Sequence, residues 1–205
     1  MKLYNTITEA VKVEYTIEKS KFIAYLSPAN TREEAEDFIK SIRKKHYDAT
    51  HNVPAMIIGE NKEIKWSSDD GEPSGTAGLP MLQTLEGHDL RNVVLVITRY
   101  FGGIKLGTGG LVRAYTEGAK GAIDAAKIFE LRKVAVISFE CDYSTLEMIK
   151  ASQGDFSLKN IQYSDKVKAQ ALCELEELET VEKSLINISK ARINILDKLE
   201  ETVLI

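Results

Sequence analysis

The chain is poor in the residues that build covalent frameworks. It holds two cysteines, Cys141 and Cys173, among 205 residues. Two thiols are too few for a disulfide scaffold or a zinc site, so a reducing, cytoplasmic setting is expected. Proline is scarce at four, and there is one tryptophan, Trp66. No apolar run approaches the roughly 20 residues that span a bilayer, which excludes a membrane-spanning helix. The stretch Met1–Val13 alternates polar and apolar residues. It has no apolar segment of the kind a secretory leader carries, so none is expected. An excess of positive charge is also missing: Lys+Arg total 27 against 31 Asp+Glu, a net charge of −4. Residues 1–135 carry 19 cations and 18 anions, and residues 136–205 carry 8 and 13, balances of +1 and −5. A broadly basic nucleic-acid footprint is therefore excluded, and any anion site must be a local cluster. What remains is ordinary globular composition, 43% hydrophobic, with enough apolar material for a core.

Periodicity gives the elements. Val11, Val13, Tyr15 and Ile17 share one face of a strand, and a second strand is expected near Lys21–Leu26. Thr31 and Glu34 form a capping box that opens a helix with Ala35, Phe38, Ile39 and Ile42 as its stripe. Val53–Ile58 and Glu63–Trp66 read as strands, a short helix is expected around Pro80–Leu85, and Val93–Thr98 reads as a strand buried on both faces. A helix is expected from about Leu111 to Ala126, with the small-residue stripe Leu111, Ala114, Tyr115, Gly118, Ala119, Ala122 and Ile123. Gly118 and Gly121 each cost such a helix about 1 kcal/mol relative to Ala, which implies a packing reason. Beyond it come a strand at Val134–Phe139, a helix opened by Asp142 or Ser144, strands at Phe156–Tyr163 and Lys166–Leu175, a helix at Leu178–Ile188 and a strand at Ala191–Leu196. That βαββαβ order is the ferredoxin-like pattern. The expected class is α+β in two domains, 1–130 and 135–205.

Two segments stand apart. Between the buried strand and the long helix, five of the nine residues from 102 to 110 are glycine: Gly102, Gly103, Gly107, Gly109 and Gly110. Arg99, Lys105 and Arg113 lie before, within and after this run. Helix N-termini with exposed N–H groups bind anions, and glycine permits close approach. Known phosphate fingerprints do not fit, because Thr108 stands where the Walker lysine belongs and Val112 where a dinucleotide motif needs its third glycine. A tight strand-to-helix crossover needing positive φ is the alternative. The second segment runs Ser67–Gly78 and carries Asp69, Asp70 and Glu72. These carboxylates can hold a metal or move protons, or they can cap amides and pair with Arg99 or Arg113. Charges this dense in apolar surroundings are costly unless paired, so an ion pair between the two segments is expected.

Other chemistry is sparse. Ser74 misses the Gly-x-Ser-x-Gly elbow by one residue. His46, His51 and His88 lack metal spacing, and His51 begins a strand from which it either points into the same cleft or ends the strand with a hydrogen bond. Trp66 is expected in the core. Tyr100 and Phe101 are placed either to stack on bases or to pack under a helix. No catalytic residue, metal or cofactor is assigned, since no nucleophile is paired with a base.

The run Asp69-Asp70-Gly71-Glu72-Pro73-x-Gly75-Thr76-Ala77-Gly78-x-Pro80 resembles the first signature of the IMPACT or YigZ-like family, also called uncharacterised protein family 0029. A second signature extends through Val96-Ile97-x-Arg99-Tyr100-Phe101-Gly102-Gly103-x-x-Leu106-Gly107. The resemblance implies an N-terminal domain similar to the second domain of ribosomal small-subunit protein five and to domain IV of elongation factor G. It implies a ferredoxin-like C-terminal domain similar to that of elongation factor G. Eukaryotic members regulate translation initiation. The expected function is a translation-associated regulatory or binding protein that contacts RNA, the ribosome or a translation factor through Arg99, Lys105, Arg113 and the glycine run. The alternatives are an enzyme acting on a phosphorylated small molecule with Asp69, Asp70 and Glu72, and a protein-interaction module whose signature loops are structural.

Overall fold

The chain opens on a strand not assigned from the sequence, β1 (Lys2–Ile7), inside the alternating Met1–Val13 stretch. The computed structural model describes residues 1–152 and 154–205. One unit spans Tyr4–Glu130. After β1 it contains β2 (Val11–Ile17), β3 (Ser20–Pro28), α1 (Arg32–Lys45), β4 (His51–Ile58), β5 (Ile64–Ser67), α2 (Gly78–Gly87), β6 (Val93–Tyr100) and α3 (Gly107–Ala125). The other unit comprises Met1–Leu3 and Leu131–Ile205. Its elements are β7 (Ile128–Cys141), α4 (Tyr143–Ala151), β8 (Ser157–Tyr163), β9 (Val167–Glu174), α5 (Leu178–Ile188) and β10 (Asn194–Leu204). The division falls inside β7, with no linker to mark it.

In the Tyr4–Glu130 unit the sheet order is β2-β3-β6-β4-β5, antiparallel throughout. Its strands alternate between two cores. Phe22, Ala24, Leu26, Val53, Ala55, Ile57, Val93, Leu95 and Ile97 face one core, which α2 and α3 close with Met81, Leu85, Leu111, Tyr115 and Ile123. Ile23, Tyr25, Met56, Ile58, Val94 and Val96 face the other, closed by Ala35, Ile39 and Ile42 of α1. A strand with helices on both sides must be apolar at every position, which is why β6 carries the continuous run. Thr31 caps α1 by accepting from the Glu34 backbone N–H at 3.1 Å. The glycine in the stripe of α3 also finds its reason: a Cβ at Gly118 would overlap the Tyr15 ring, whose hydroxyl donates to the Ala114 carbonyl at 3.0 Å.

The second unit has the order β7-α4-β8-β9-α5-β10, with β10, β7, β9 and β8 adjacent in that sequence and each neighbour antiparallel. Residues at the start of the chain extend its sheet beside β7, where the Lys133 N–H donates to the Met1 carbonyl at 2.8 Å. Helices α4 and α5 cover one sheet face with Leu146, Ile149, Val181 and Leu185.

Several expectations need correction. Helix α3 begins at Gly107, not near Leu111, so Gly109 and Gly110 are helical rather than part of a loop. Strand β7 runs 14 residues where six were expected, and β10 continues to Leu204 instead of ending at Leu196. Both extensions pair with each other, from Leu131↔Leu204 to Glu140↔Asn194. Backbone pairing sustains them, because β10 is largely exposed and carries no apolar alternation. Helix α4 is capped by Asp142, which accepts from the Thr145 N–H at 2.7 Å, and not by Ser144. Trp66 is not core. It sits on the edge strand β5 and is 38% exposed.

Candidate functional site

Parity along β6 places Arg99 on the same face as Val93, Leu95 and Ile97, beneath α3. Register then gives it neighbours: Phe22 on β3 and His51 on β4 are its cross-strand partners. The guanidinium lies 5.5 Å from the centroids of both Phe22 and Phe101. At 5% exposure Arg99 is a buried cation. Its partner is Glu72, whose Oε1 accepts from Arg99 Nη1 at 2.7 Å and from the Tyr115 hydroxyl at 2.8 Å. The expected ion pair between the two signature segments is therefore present, and Arg99 is the cation chosen. Burial, with the Glu72 charge beside it, pushes the Tyr115 phenol far above its ordinary pKa and keeps it a donor.

The other two carboxylates of the segment are also engaged, Asp69 by backbone alone and Asp70 by backbone and Arg43. Asp69 Oδ1 accepts from the Ala77 and Gly78 N–H groups at 3.1 and 2.9 Å, and Oδ2 accepts from Gly75 N–H at 2.8 Å. It caps α2 from outside, since Ala77 at the N-cap position has no side-chain acceptor. Burial opposes ionisation of Asp69, but the three amide donors outweigh it and hold its pKa below the usual value. Asp70 Oδ2 accepts from the Asn52 N–H at 2.7 Å, while Oδ1 pairs with Arg43 at 2.8 Å. His51 Nδ1 donates to the Asp70 carbonyl at 2.8 Å. That bond leaves His51 Nε2 facing Glu72 Oε2 at 3.8 Å.

Above this floor lies a cavity of about 390 Å³. Glu72, His51 and Arg99 line it from the sheet side, and Phe101, Lys105, Leu106, Gly107 and Thr108 from the β6–α3 connection. Of the three proposed anion-binding cations, Arg99 and Lys105 therefore meet here. Arg113 does not. It is exposed on α3 and lines a separate depression of about 350 Å³, which Lys105 shares. The glycines divide by role. A Cβ at Gly102 would overlap the Lys19 carbonyl, so Gly102 serves chain crossing. Gly103 and Gly107 have φ of +86° and +69° and turn the chain into the helix. Gly107 lines the cavity, and Gly110 lines the neighbouring depression.

Thr50, Thr108 and Tyr115 are site residues that the sequence reading did not assign. For Tyr115 a signal existed: a lone hydroxyl in a stripe of small apolar residues needs a buried partner. Tyr100 points the other way, where His46 Nδ1 donates to its hydroxyl at 2.9 Å. Among the described residues no group of three or more His, Cys, Asp or Glu is placed to hold a metal ion, and no helix is long and apolar enough to cross a membrane.

Residues 18–123 match the profile described as the Impact N-terminal domain, which includes every residue of this site. The chain belongs to the IMPACT family. The IMPACT family member YvyE of Bacillus subtilis (strain 168) is 44% identical over 176 residues, covering 85% of this chain and 81% of its own. The family member YigZ of Escherichia coli (strain K12) is 39% identical over 146 residues, or 70% of this chain and 72% of its own. A solved structure described only as that of a hypothetical protein superposes with a TM-score of 0.62 at 32% identity, covering 96% of this chain and 97% of that one. The IMPACT signatures and the cavity thus coincide: Glu72 and Arg99, one from each, form the buried pair at its floor.

Proposed function

We propose that this IMPACT-family protein is a cytoplasmic, translation-associated regulatory protein that contacts RNA or ribosomal particles through phosphate groups. The observation that carries the reading is the start of α3. Leu106 at its N-cap offers no side-chain acceptor, the first turn holds no acidic residue, and the exposed cations Lys105 and Arg113 flank the free N–H groups. Arg99 takes no part in that contact, because Glu72 already neutralises it. The family resemblance adds support: the Tyr4–Glu130 unit is read as similar to the second domain of ribosomal small-subunit protein five and domain IV of elongation factor G. The other unit is read as a ferredoxin-like domain similar to the C-terminal domain of elongation factor G, which its β–α–β–β–α–β order and antiparallel sheet favour.

The test is a salt titration against purified ribosomes and single-stranded RNA. Two phosphate contacts give a slope of log affinity against log salt of about −1.4 to −1.8. The Lys105→Ala/Arg113→Ala variant alters two exposed side chains and should stay folded while that slope collapses. No binding at low salt, or binding indifferent to the two substitutions, overturns the reading.

A further inference from the structure

The cavity under the β6–α3 connection contains polar groups that the chain leaves unmatched. Glu72 has a side chain only 3% exposed, yet its Oε2 accepts no hydrogen bond among the described residues. His51 Nε2 lies 3.8 Å from it, beyond hydrogen-bond reach. His51 Nδ1 is committed as a donor to the Asp70 carbonyl, so a neutral imidazole presents a lone pair, not a proton, at Nε2. In that neutral form Nε2 and Glu72 Oε2 are both acceptors, and one donor from a ligand can bridge them. The buried atom left without a partner is Arg99 Nε, a donor on a side chain that lines the same cavity, and leaving such a group unmatched is costly.

The far end of the same cavity has the opposite character. Gly107 and Thr108, the first residues of α3, line it together with Lys105. Their N–H groups have no capping side chain. A 19-residue helix puts the positive end of its dipole there, next to an ammonium. Phe101, 46% exposed, also lines the cavity, with the Arg99 guanidinium 5.5 Å from its ring centroid. The cavity asks for a molecule with an anion at one end, a hydrogen-bond donor at the other and a flat apolar body between. Its volume of about 390 Å³ is near the lower end of small-molecule sites.

We infer that this cavity binds a terminal phosphomonoester of a nucleoside, whether a free nucleoside monophosphate or the phosphorylated end of an RNA strand. The phosphate lies at Lys105 and the α3 N-terminus, where several N–H donors meet its three acceptor oxygens. The base lies on Phe101. A hydroxyl or amino group of the nucleoside donates into the gap between Glu72 Oε2 and His51 Nε2. This goes beyond the phosphate-rim reading and shares with it Lys105 and the α3 N-terminus.

The experiment is calorimetric titration of the full chain with nucleoside 5′-monophosphates, the corresponding nucleosides and inorganic phosphate. At least one monophosphate should bind with a Kd below about 1 mM, and its nucleoside and inorganic phosphate at least about tenfold more weakly. Lys105→Ala and Phe101→Ala alter exposed side chains, and each should weaken the monophosphate about tenfold while the far-ultraviolet circular dichroism stays unchanged. Glu72→Gln preserves the shape of the buried group and should weaken it further. A second arm compares 5′-phosphorylated and 5′-hydroxyl oligoribonucleotides of one sequence. Preference for the phosphorylated strand assigns the RNA end as source, and binding of free monophosphate alone assigns the mononucleotide. Failure of every monophosphate and of the phosphorylated strand to bind overturns the inference, as does binding unchanged in both surface variants. Phe101→Ala separates the two readings: it should weaken nucleotide binding about tenfold and leave the salt slope on ribosomes intact. Ribosome binding without any nucleotide binding removes this inference alone.

Discussion

His51 and Arg99 stand directly opposite each other in the β4–β6 ladder, and Glu72 spans both of them from the loop above. One carboxylate oxygen meets the arginine at 2.7 Å and the other faces the imidazole at 3.8 Å. Strand pairing thus joins residues that lie 48 positions apart in the chain into one polar floor.

The Arg99–Glu72 pair is buried on both sides, so removing one partner strands a charge. Arg99→Ala or Glu72→Ala should destabilise the protein by about 3–5 kcal/mol. Urea unfolding followed by circular dichroism measures it. A loss under about 1 kcal/mol for either variant would mean the pair is not structural.

Gly118→Ala should destabilise, although alanine is the better helix former by about 1 kcal/mol. The new methyl overlaps the Tyr15 ring, and overpacking of this kind costs about 1–3 kcal/mol. The cost should vanish in a Tyr15→Ala background. A double-mutant cycle showing no coupling between the two positions would contradict the packing reason.

Asp69 should matter more than its exposed loop suggests. Asp69→Ala removes the acceptor for three backbone N–H groups and should cost about 1–2 kcal/mol, with Asp69→Asn intermediate. Its pKa is depressed below the ordinary 3.8, so the stability it contributes is present above that value and is lost as pH falls through the folded pKa. The acid limb of the stability curve should therefore be shallower in Asp69→Asn than in wild type.

His46 is the second pH-sensitive point. Burial, helped by Lys45, lowers its pKa below the ordinary 6.5. The neutral ring accepts from the Tyr25 hydroxyl at 2.7 Å while its Nδ1 donates to Tyr100, whose own hydroxyl donates to Asp48 at 3.1 Å. A depressed histidine binds fewer protons folded than unfolded. Stability should therefore be full above about pH 6.5 and decline as pH falls below it. Nuclear magnetic resonance titration of the His46 ring should give a pKa under 6.5, and a value above it would reverse the predicted trend.

Local pattern carried much of this protein. The run at Val93–Thr98 announced a strand buried on both sides, and the stripe from Leu111 to Ile123 announced a helix pressed close to a sheet. The bounds of α5 were legible residue by residue. An ion pair between the acidic segment and an arginine also followed from charge in apolar surroundings, because an unpaired buried charge is too costly to persist. What stayed hidden depends on backbone partners and on register. The outer half of β10 is held by backbone pairing and carries little apolar alternation. Asp69 accepts from backbone N–H groups later in its own segment and Asp70 from that of Asn52, donors that every residue except proline offers alike. The meeting of His51, Glu72 and Arg99 required β4 to lie beside β6 in one particular register. Side-chain period records which face of a strand is buried. It holds no record of which strand lies alongside, and that neighbour is what assembles the site.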